Sequence, residues 1–205
     1  MANELNRIEP PALPLATEEY DRPYQDQSNN VLRLFFNRLI GVIREITSTD
    51  DGGKFLYMPR GLFYSTTDQT AAAINTGYPV EFENTYIQSG ISIVDDTKIT
   101  VSADGVYNFQ VTLQTAHTNS SAVQAWTWIN KSGTDVTYGG EQQTIVGNAN
   151  QPVYWNFSID LTAGQYIEMY WATADLSLSL DSTAPTSPHP GIPSTVVAVS
   201  FVSNL

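Results

Sequence analysis

Apolar and polar side chains alternate from about residue 60 to the C-terminus. Along GVYNFQVTLQ, one side of an extended chain is apolar and the other side carries amides and hydroxyls. The apolar side consists of Tyr107, Phe109, Val111 and Leu113. Turn sequences separate such segments at 103–105, 131–133 and 162–164. The pattern predicts a mainly β fold, an antiparallel sandwich of roughly eight to ten short strands.

The last predicted strand, VVAVSFV, differs from the others because both of its sides are apolar. These side chains are Val197, Val199 and Phe201 on one face, and Val196, Ala198 and Val202 on the other. A two-sheet sandwich buries only one face of each strand. We therefore expect a neighbouring subunit to cover the second face.

Residues 1–25 are predicted to form an extended arm. Proline fixes φ and lacks a backbone donor, so it favours polyproline-like backbone over helix. The prolines of this segment are Pro10, Pro11, Pro14 and Pro23. Its apolar content favours an arm that lies on a partner, and a disordered tail is the alternative for an isolated monomer.

The stretch 26–48 is predicted to be an assembly helix, with Ser28 or Asn29 as its N-cap. A heptad-spaced seam is the main signal, and its members are Leu32, Phe36, Leu39, Ile43 and Ile46. Further apolar residues widen the stripe, which favours packing against helices from other copies. A helix packed on its own domain is the alternative. Residues 49–59 are rich in turn formers and predict a hinge, followed by a head domain at 60–205.

Charge is distributed unevenly along this 205-residue chain of net charge −12. Residues 1–60 hold seven of the nine basic residues, whereas 61–205 hold Lys98 and Lys131 against twelve carboxylates. Such an acidic chain would be repelled by phosphates, so we expect no nucleic-acid partner. Three arginines interrupt the apolar stretch of the predicted helix. The first residues of the chain lack the apolar h-region of a signal peptide. We therefore expect neither a membrane span nor a secretory signal.

Signals for catalysis or metal binding are weak. The only histidines are His117 and His189, and the chain has no cysteine. Glu81 and Glu83 share a predicted strand face, as a glycosidase pair would, but a solvated face is the simpler interpretation. Asp95 and Asp96 could offer calcium ligands or form a plain turn. We expect no catalytic residues, no metal and no cofactor.

Two of the four tryptophans, Trp126 and Trp128, share one predicted strand face. Flat indole rings on an exposed strand are candidate glycan-stacking residues. Burial in the core is the alternative, because tryptophans in a β-domain are more often covered.

Four segments, in order, resemble the globular heads of tumour-necrosis-factor-like jelly rolls of the complement and collagen type. They are GVYNFQV, WTWINKSGTDV, LTAGQYIEMYW and TVVAVSFV. The resemblance implies a trimeric antiparallel jelly-roll sandwich over 60–205, with Tyr166 and Tyr170 packed near the threefold axis. The chain departs from that family at Gln165, where aspartate is usual, and in the proline-rich insertion STAPTSPHPGIP.

The segment from Tyr24 to Leu39 resembles the start of small virion proteins of tailed phages. This implies a non-enzymatic virion protein that is assembled in the host cytoplasm and exposed on the particle surface. It would be a homotrimer held to other virion proteins through residues 1–46, as a capsid decoration, a head fibre or a short tail-associated fibre. A glycan-binding host-attachment module is the alternative, and a polysaccharide-degrading enzyme is a third.

Overall fold

The computed structural model describes residues 12, 19, 21–47 and 58–205. It divides the chain into two compact units, Met1–Tyr57 and Met58–Leu205. Most of the predicted arm and almost all of the predicted hinge lie outside the described residues. The described part is mainly β, with antiparallel sheets and one helix, which confirms the fold class at that level.

The strands of the second unit form two sheets. Sheet I contains β1 (Arg60–Ser65), β2 (Gln69–Thr70), β4 (Asn84–Ser89), β7 (Gly105–His117), β10 (Ala149–Leu161), β12 (Leu178–Leu180) and β13 (Thr195–Ser203). Sheet II contains β3 (Tyr78–Pro79), β5 (Ile91–Val94), β6 (Lys98–Val101), β8 (Val123–Lys131), β9 (Thr134–Ile145) and β11 (Tyr166–Thr173).

Helix α1 runs from Arg22 to Thr47, so it begins before residue 26, where the sequence placed its start. The predicted N-cap at Ser28 or Asn29 is wrong. The N–H of Gln25 donates to the carbonyl of Asp21 at 3.0 Å, which makes Asp21 the capping position. Pro23 does not obstruct this start, because N–H groups in the first turn have no helical acceptor to lose.

None of the side chains described in helix α1 is buried. Phe36 and Ile43 of the predicted seam are 53% and 48% exposed. Leu32 and Leu39 are half-buried, and the side chain of Ile46 lies outside the described residues. The described helix therefore presents a partly exposed apolar stripe, and its packing against other copies stays a prediction.

Strand β7 is the centre of sheet I. β10 pairs with it along its whole length, from Gly105 to His117. β13 and β12 share the opposite edge, and β1 and β4 follow beyond β13. In sheet II the order is β5-β6-β11-β8-β9, with β3 beside β6 on β11.

One apolar core joins the two sheets. The inward side chains predicted on β7, from Tyr107 to Leu113, are all buried, and they share the core with Ile99 and Ile167 of sheet II. Phe109 stacks on Phe157 with ring centroids 4.9 Å apart. The buried Tyr107 hydroxyl donates to the carbonyl of Ala103 at 2.7 Å, and burial raises the pKa of Tyr107 to about 12.

The core of the sandwich covers one of the two apolar faces of strand β13. Val197, Val199 and Phe201 are buried in the core. On the other face Val196 and Ala198 are only half-buried. The structure of the single chain thus leaves the second face available, and the predicted subunit contact there stays a prediction.

Asp175 ties together two loops at one end of the sandwich. Its Oδ1 accepts a bond from the backbone N–H of Ser177, and its Oδ2 accepts from Asn119 Nδ2, both at 2.9 Å. The Ser177 and Asn119 hydrogen bonds lower the pKa of Asp175 from 3.8 to about 2. The ionised carboxylate therefore favours the folded state.

We expect Asp175 to contribute stability above its unfolded pKa of about 3.9, and to lose that contribution as the pH falls through its folded value. The variant Asp175→Asn should melt below wild type at neutral pH and lose less stability on acidification. Thermal unfolding followed from about pH 7 to about pH 2.5 measures both effects. Asp96→Asn is the matched control, because Asp96 is exposed. Parallel melting curves for Asp175→Asn and wild type at every pH would contradict the prediction.

Candidate functional site

The outer face of sheet II carries two tryptophans side by side. Along β8 the residues Ala125, Thr127 and Ile129 are buried, whereas Trp126 and Trp128 between them are half-buried on the opposite face. The remaining two tryptophans belong to the core. They are Trp155 and Trp171, which are 6% and 2% exposed.

Three neighbours hold the Trp128 ring in one orientation. Tyr170 of the adjacent strand β11 stacks on it, with centroids 5.5 Å apart and planes at 20°. The indole Nε1 of Trp128 donates a hydrogen bond to Asp135 Oδ1 at 3.2 Å. Gly77 lies so close to the ring that a Cβ at this position would be 2.6 Å from Cη2. The ring is therefore positioned before any ligand arrives.

An open depression of about 480 Å³ lies over these rings. Its lining residues are Asn75, Gly77, Trp126, Trp128, Asp135 and Ala172. The depression forms where a small side chain lies next to a large one. Ala172 pairs with Trp126 across the β8–β11 ladder, and its short side chain leaves space beside the indole ring.

The loop that forms one rim of the depression is fixed by hydrogen bonds. The N–H of Asn75 donates to the carbonyl of Thr173 at 2.8 Å, and the N–H of Ala73 donates to the hydroxyl of Tyr78 at 2.8 Å. Asn75 itself adopts a φ of 54°, a left-handed conformation that asparagine tolerates better than most residues. The rim thus presents Asn75 from a defined backbone.

Asp135 supplies the acidic group of the depression. Its Oδ1 accepts from Trp128 and also from Asn130 Nδ2 at 3.0 Å. None of the six lining residues is basic. The depression therefore combines aromatic surface, one amide and one carboxylate, a set suited to an uncharged ligand rich in hydroxyl groups.

The two tyrosines predicted at a threefold axis lie on this same outer face of sheet II. Tyr170 is half-buried against Trp128, and burial raises its pKa. Tyr166 is half-buried, with Lys98 Nζ 5.8 Å from its ring centroid. Their role in a trimer stays a prediction.

A second notable surface is the outer face of sheet I. Ladder pairing places Leu62 beside Ala198 and Ile87, and Tyr64 beside Val196. Ile87 is 40% exposed, and the other four are half-buried. We call these five residues the sheet I patch. The alternation of RGLFYS could have indicated that Leu62 and Tyr64 share a face, but not what lies beside them.

Glu83, one of the two carboxylates weighed as a glycosidase pair, is engaged by the loop at 66–67. Glu81 and Glu83 precede β4, which begins only at Asn84. Oε1 of Glu83 accepts bonds from the Thr66 backbone at 2.6 Å and from the Thr67 hydroxyl at 3.3 Å. Burial opposes ionisation, but hydrogen bonds from Ser65 and Thr66 outweigh it and lower the pKa of Glu83. A general acid needs a raised pKa instead.

The two aspartates weighed as calcium ligands lie in a tight turn, and the two histidines lie apart in the chain. Asp95 and Asp96 have φ values of 53° and 58° in the tight β5–β6 turn, and Asp95 binds Lys98 at 2.8 Å. His117 is buried, whereas His189 is exposed in the proline-rich insertion. Within the described part of the chain, no group of three or more histidine, aspartate or glutamate side chains could hold a metal ion.

No protein-family model matches the chain, and no curated protein matches it either. Within residues 21–47, the described helix is not long and apolar enough to cross a membrane.

Proposed function

We propose that the protein is a non-enzymatic structural protein of a tailed-phage virion. It forms a homotrimer, attaches through residues 1–46 and displays the second unit as a jelly-roll head, either on the capsid or near the tail. The exposed apolar stripe of helix α1 carries this proposal. A helix that leaves Leu34, Phe36 and Ile40 about half exposed offers an apolar surface that packing against partners would stabilise in water.

The strand order supports a jelly-roll head of the tumour-necrosis-factor type. Strands β10-β7-β13-β1-β4 form one layer and β5-β6-β11-β8-β9 the other. The chain changes sheet between β7 and β8, between β9 and β10, and again on either side of β11. Two packed antiparallel layers with repeated crossing between them are what a jelly roll would show.

The sheet I patch supports trimer formation. Monomeric proteins rarely leave contiguous apolar patches uncovered, and such patches commonly mark interaction sites. At the far side of the same sheet, β10 pairs with β7 alone among the described strands. An unpaired edge on one side and an apolar face on the other fit a head-to-tail contact that closes into a ring.

The charge of helix α1 supports its part in the anchor. The helix carries four arginines against Asp26 and Glu45, whereas the head carries twelve carboxylates against three basic residues. The helix, which has a net positive charge, can dock on an acidic platform from which the head would be repelled.

Deleting residues 1–46 should leave a folded head that no longer joins phage particles. The head keeps its own core, so its β circular-dichroism signal and cooperative melting should survive. Occupancy is measured by gel analysis of purified particles beside the full-length chain. Normal decoration by the truncated head would show that the anchor is elsewhere. Absence of the full-length chain from particles would refute the virion role.

A second candidate, a glycan-binding host-attachment module, is favoured by the aromatic depression of sheet II. A polysaccharide-degrading enzyme has less support, because the lowered pKa of Glu83 and its engagement by the 66–67 loop do not suit that carboxyl to the role of general acid.

A further inference from the structure

The depression on sheet II has the construction of a binding site, and its chemistry is specific enough to name a ligand class. We infer that it binds one or two uncharged hexose units of a polysaccharide, stacked on Trp126 and Trp128. This inference deepens the second candidate function and does not depend on the virion role.

The aromatic floor fits the apolar face of a sugar ring. The face of an indole ring is electron-rich and attracts the C–H groups that a pyranose presents on one side. Trp126 and Trp128 alternate with buried residues on β8, so their rings lie side by side along one strand. Trp128 is fixed by Tyr170, Asp135 and Gly77, so binding would cost little side-chain entropy there.

The polar groups at the rim fit hydroxyl groups. Asp135 uses Oδ1 for Trp128 and Asn130, and its Oδ2 can accept from a sugar hydroxyl. Asn75 offers both a donor and an acceptor from the fixed rim loop. Charge-assisted bonds from hydroxyls to a carboxylate are stronger than neutral ones, which gives the site orientation as well as affinity.

Charge excludes acidic sugars. The lining contains Asp135 and no basic residue, and the head around it carries twelve carboxylates against Arg60, Lys98 and Lys131. A uronic acid, sialic acid or phosphorylated sugar would meet a negative field without a partner. The ligand is therefore uncharged.

A small organic cation fits less well than a sugar. Aromatic cages hold such cations between several ring faces. Here Tyr170 lies flat against Trp128, and the depression is wide and shallow, so the rings form a platform and not a cage. An extended, flat ligand matches this shape better.

Titration of the full-length protein with uncharged trisaccharides tests the inference. The probes are α- and β-linked glucose trimers, a mannose trimer and a galactose trimer, each up to about 10 mM, followed by tryptophan fluorescence and saturation-transfer NMR. At least one should bind. Trp126→Ala should weaken that binding about tenfold or more, since it removes one of the two aromatic stacking surfaces.

Two further variants make the test specific. Ala172→Leu fills the floor without removing an aromatic ring and should also abolish binding. Tyr138→Ala removes a fully exposed aromatic ring from β9, outside the depression, and should bind as wild type does. Circular dichroism of all three variants checks that each remains folded.

The outcomes that overturn the inference are distinct from failure of the virion role, which particle occupancy reports. If none of the four trisaccharides binds, the depression is not a binding site for uncharged hexoses. Binding of trigalacturonic acid or choline instead, lost in Trp126→Ala, would show that the ligand class is wrong. A change in oligomeric mass on Trp126→Ala would show that this face is a contact between copies.

Discussion

The variant Phe36→Asp should lose the order of helix α1 and, with it, attachment to particles. Phe36 lies at the centre of the heptad-spaced seam, and it is 53% exposed in the single chain. If the seam packs against its copies, truncating such a ring costs about 3–5 kcal/mol. A carboxylate in its place costs more, because assembly would bury several like charges together.

The helix should be especially sensitive to this change, because its stability depends on packing of the seam. Isolated helices are marginal in water, and most of their stability comes from packing of an apolar face. No described side chain of α1 is buried, and we expect a second copy to supply that packing. The head has a separate core and should be unaffected.

Circular dichroism and particle occupancy measure the two expected losses. The helical signal of wild type should rise with protein concentration, whereas Phe36→Asp should show only the β signal. Asn37→Asp is the matched control, because it adds the same charge at the adjacent position, outside the seam. Full occupancy of particles by Phe36→Asp would mean that the helix is not an assembly element.

Gly41→Ala should strengthen the helix slightly, since a Cβ there meets no atom within 4 Å.

The alternation of side chains was sufficient to predict the class of the fold, because burial of one strand face depends only on local period. It correctly placed Tyr107, Phe109 and Leu113 in the core. Local pattern failed at the start of α1, where Pro23 suggested extended chain. A proline in the first turn costs nothing, so its presence does not distinguish an arm from a helix start.

The candidate site could be predicted only in part, for a related reason. The shared face of Trp126 and Trp128 follows from residues two apart on one strand. The contact of Gly77 with Trp128, and the hydrogen bond from Trp128 to Asp135, depend on which strands become neighbours. Pairing and register are set by long-range packing, so a local pattern could not supply the remaining groups of the depression.

The sheet I patch shows the same limit. Its parts come from β1, β4 and β13, which are far apart in the chain and meet only through the ladder. The doubly apolar β13 indicated that something must cover its second face. The register shows which side chains of β1 and β4 lie beside that face. It also identifies Val196 as a residue whose substitution tests whether a second copy covers the face.

The head fragment 58–205 should be a trimer, and Val196→Asp should convert it to a monomer. Val196 is half-buried in the sheet I patch, beside Tyr64 on β1 and Thr112 on β7. Covering such a side chain completely contributes up to about 1.5–3 kcal/mol per copy, and three copies would lose it together. A carboxylate there would also have to be desolvated against an apolar surface.

The fold should survive this change, because the core face of β13 is untouched and the strand-propensity cost of aspartate is only about 1 kcal/mol. Sedimentation and light scattering should give about three times the monomer mass for the wild-type head and the monomer mass for Val196→Asp. Thr137→Asp, an exposed change on β9 of the other sheet, should stay trimeric. A wild-type head that sediments as a monomer at every concentration would refute the head contact. The exposed stripe of α1 would then be the remaining candidate for the surface that brings copies together.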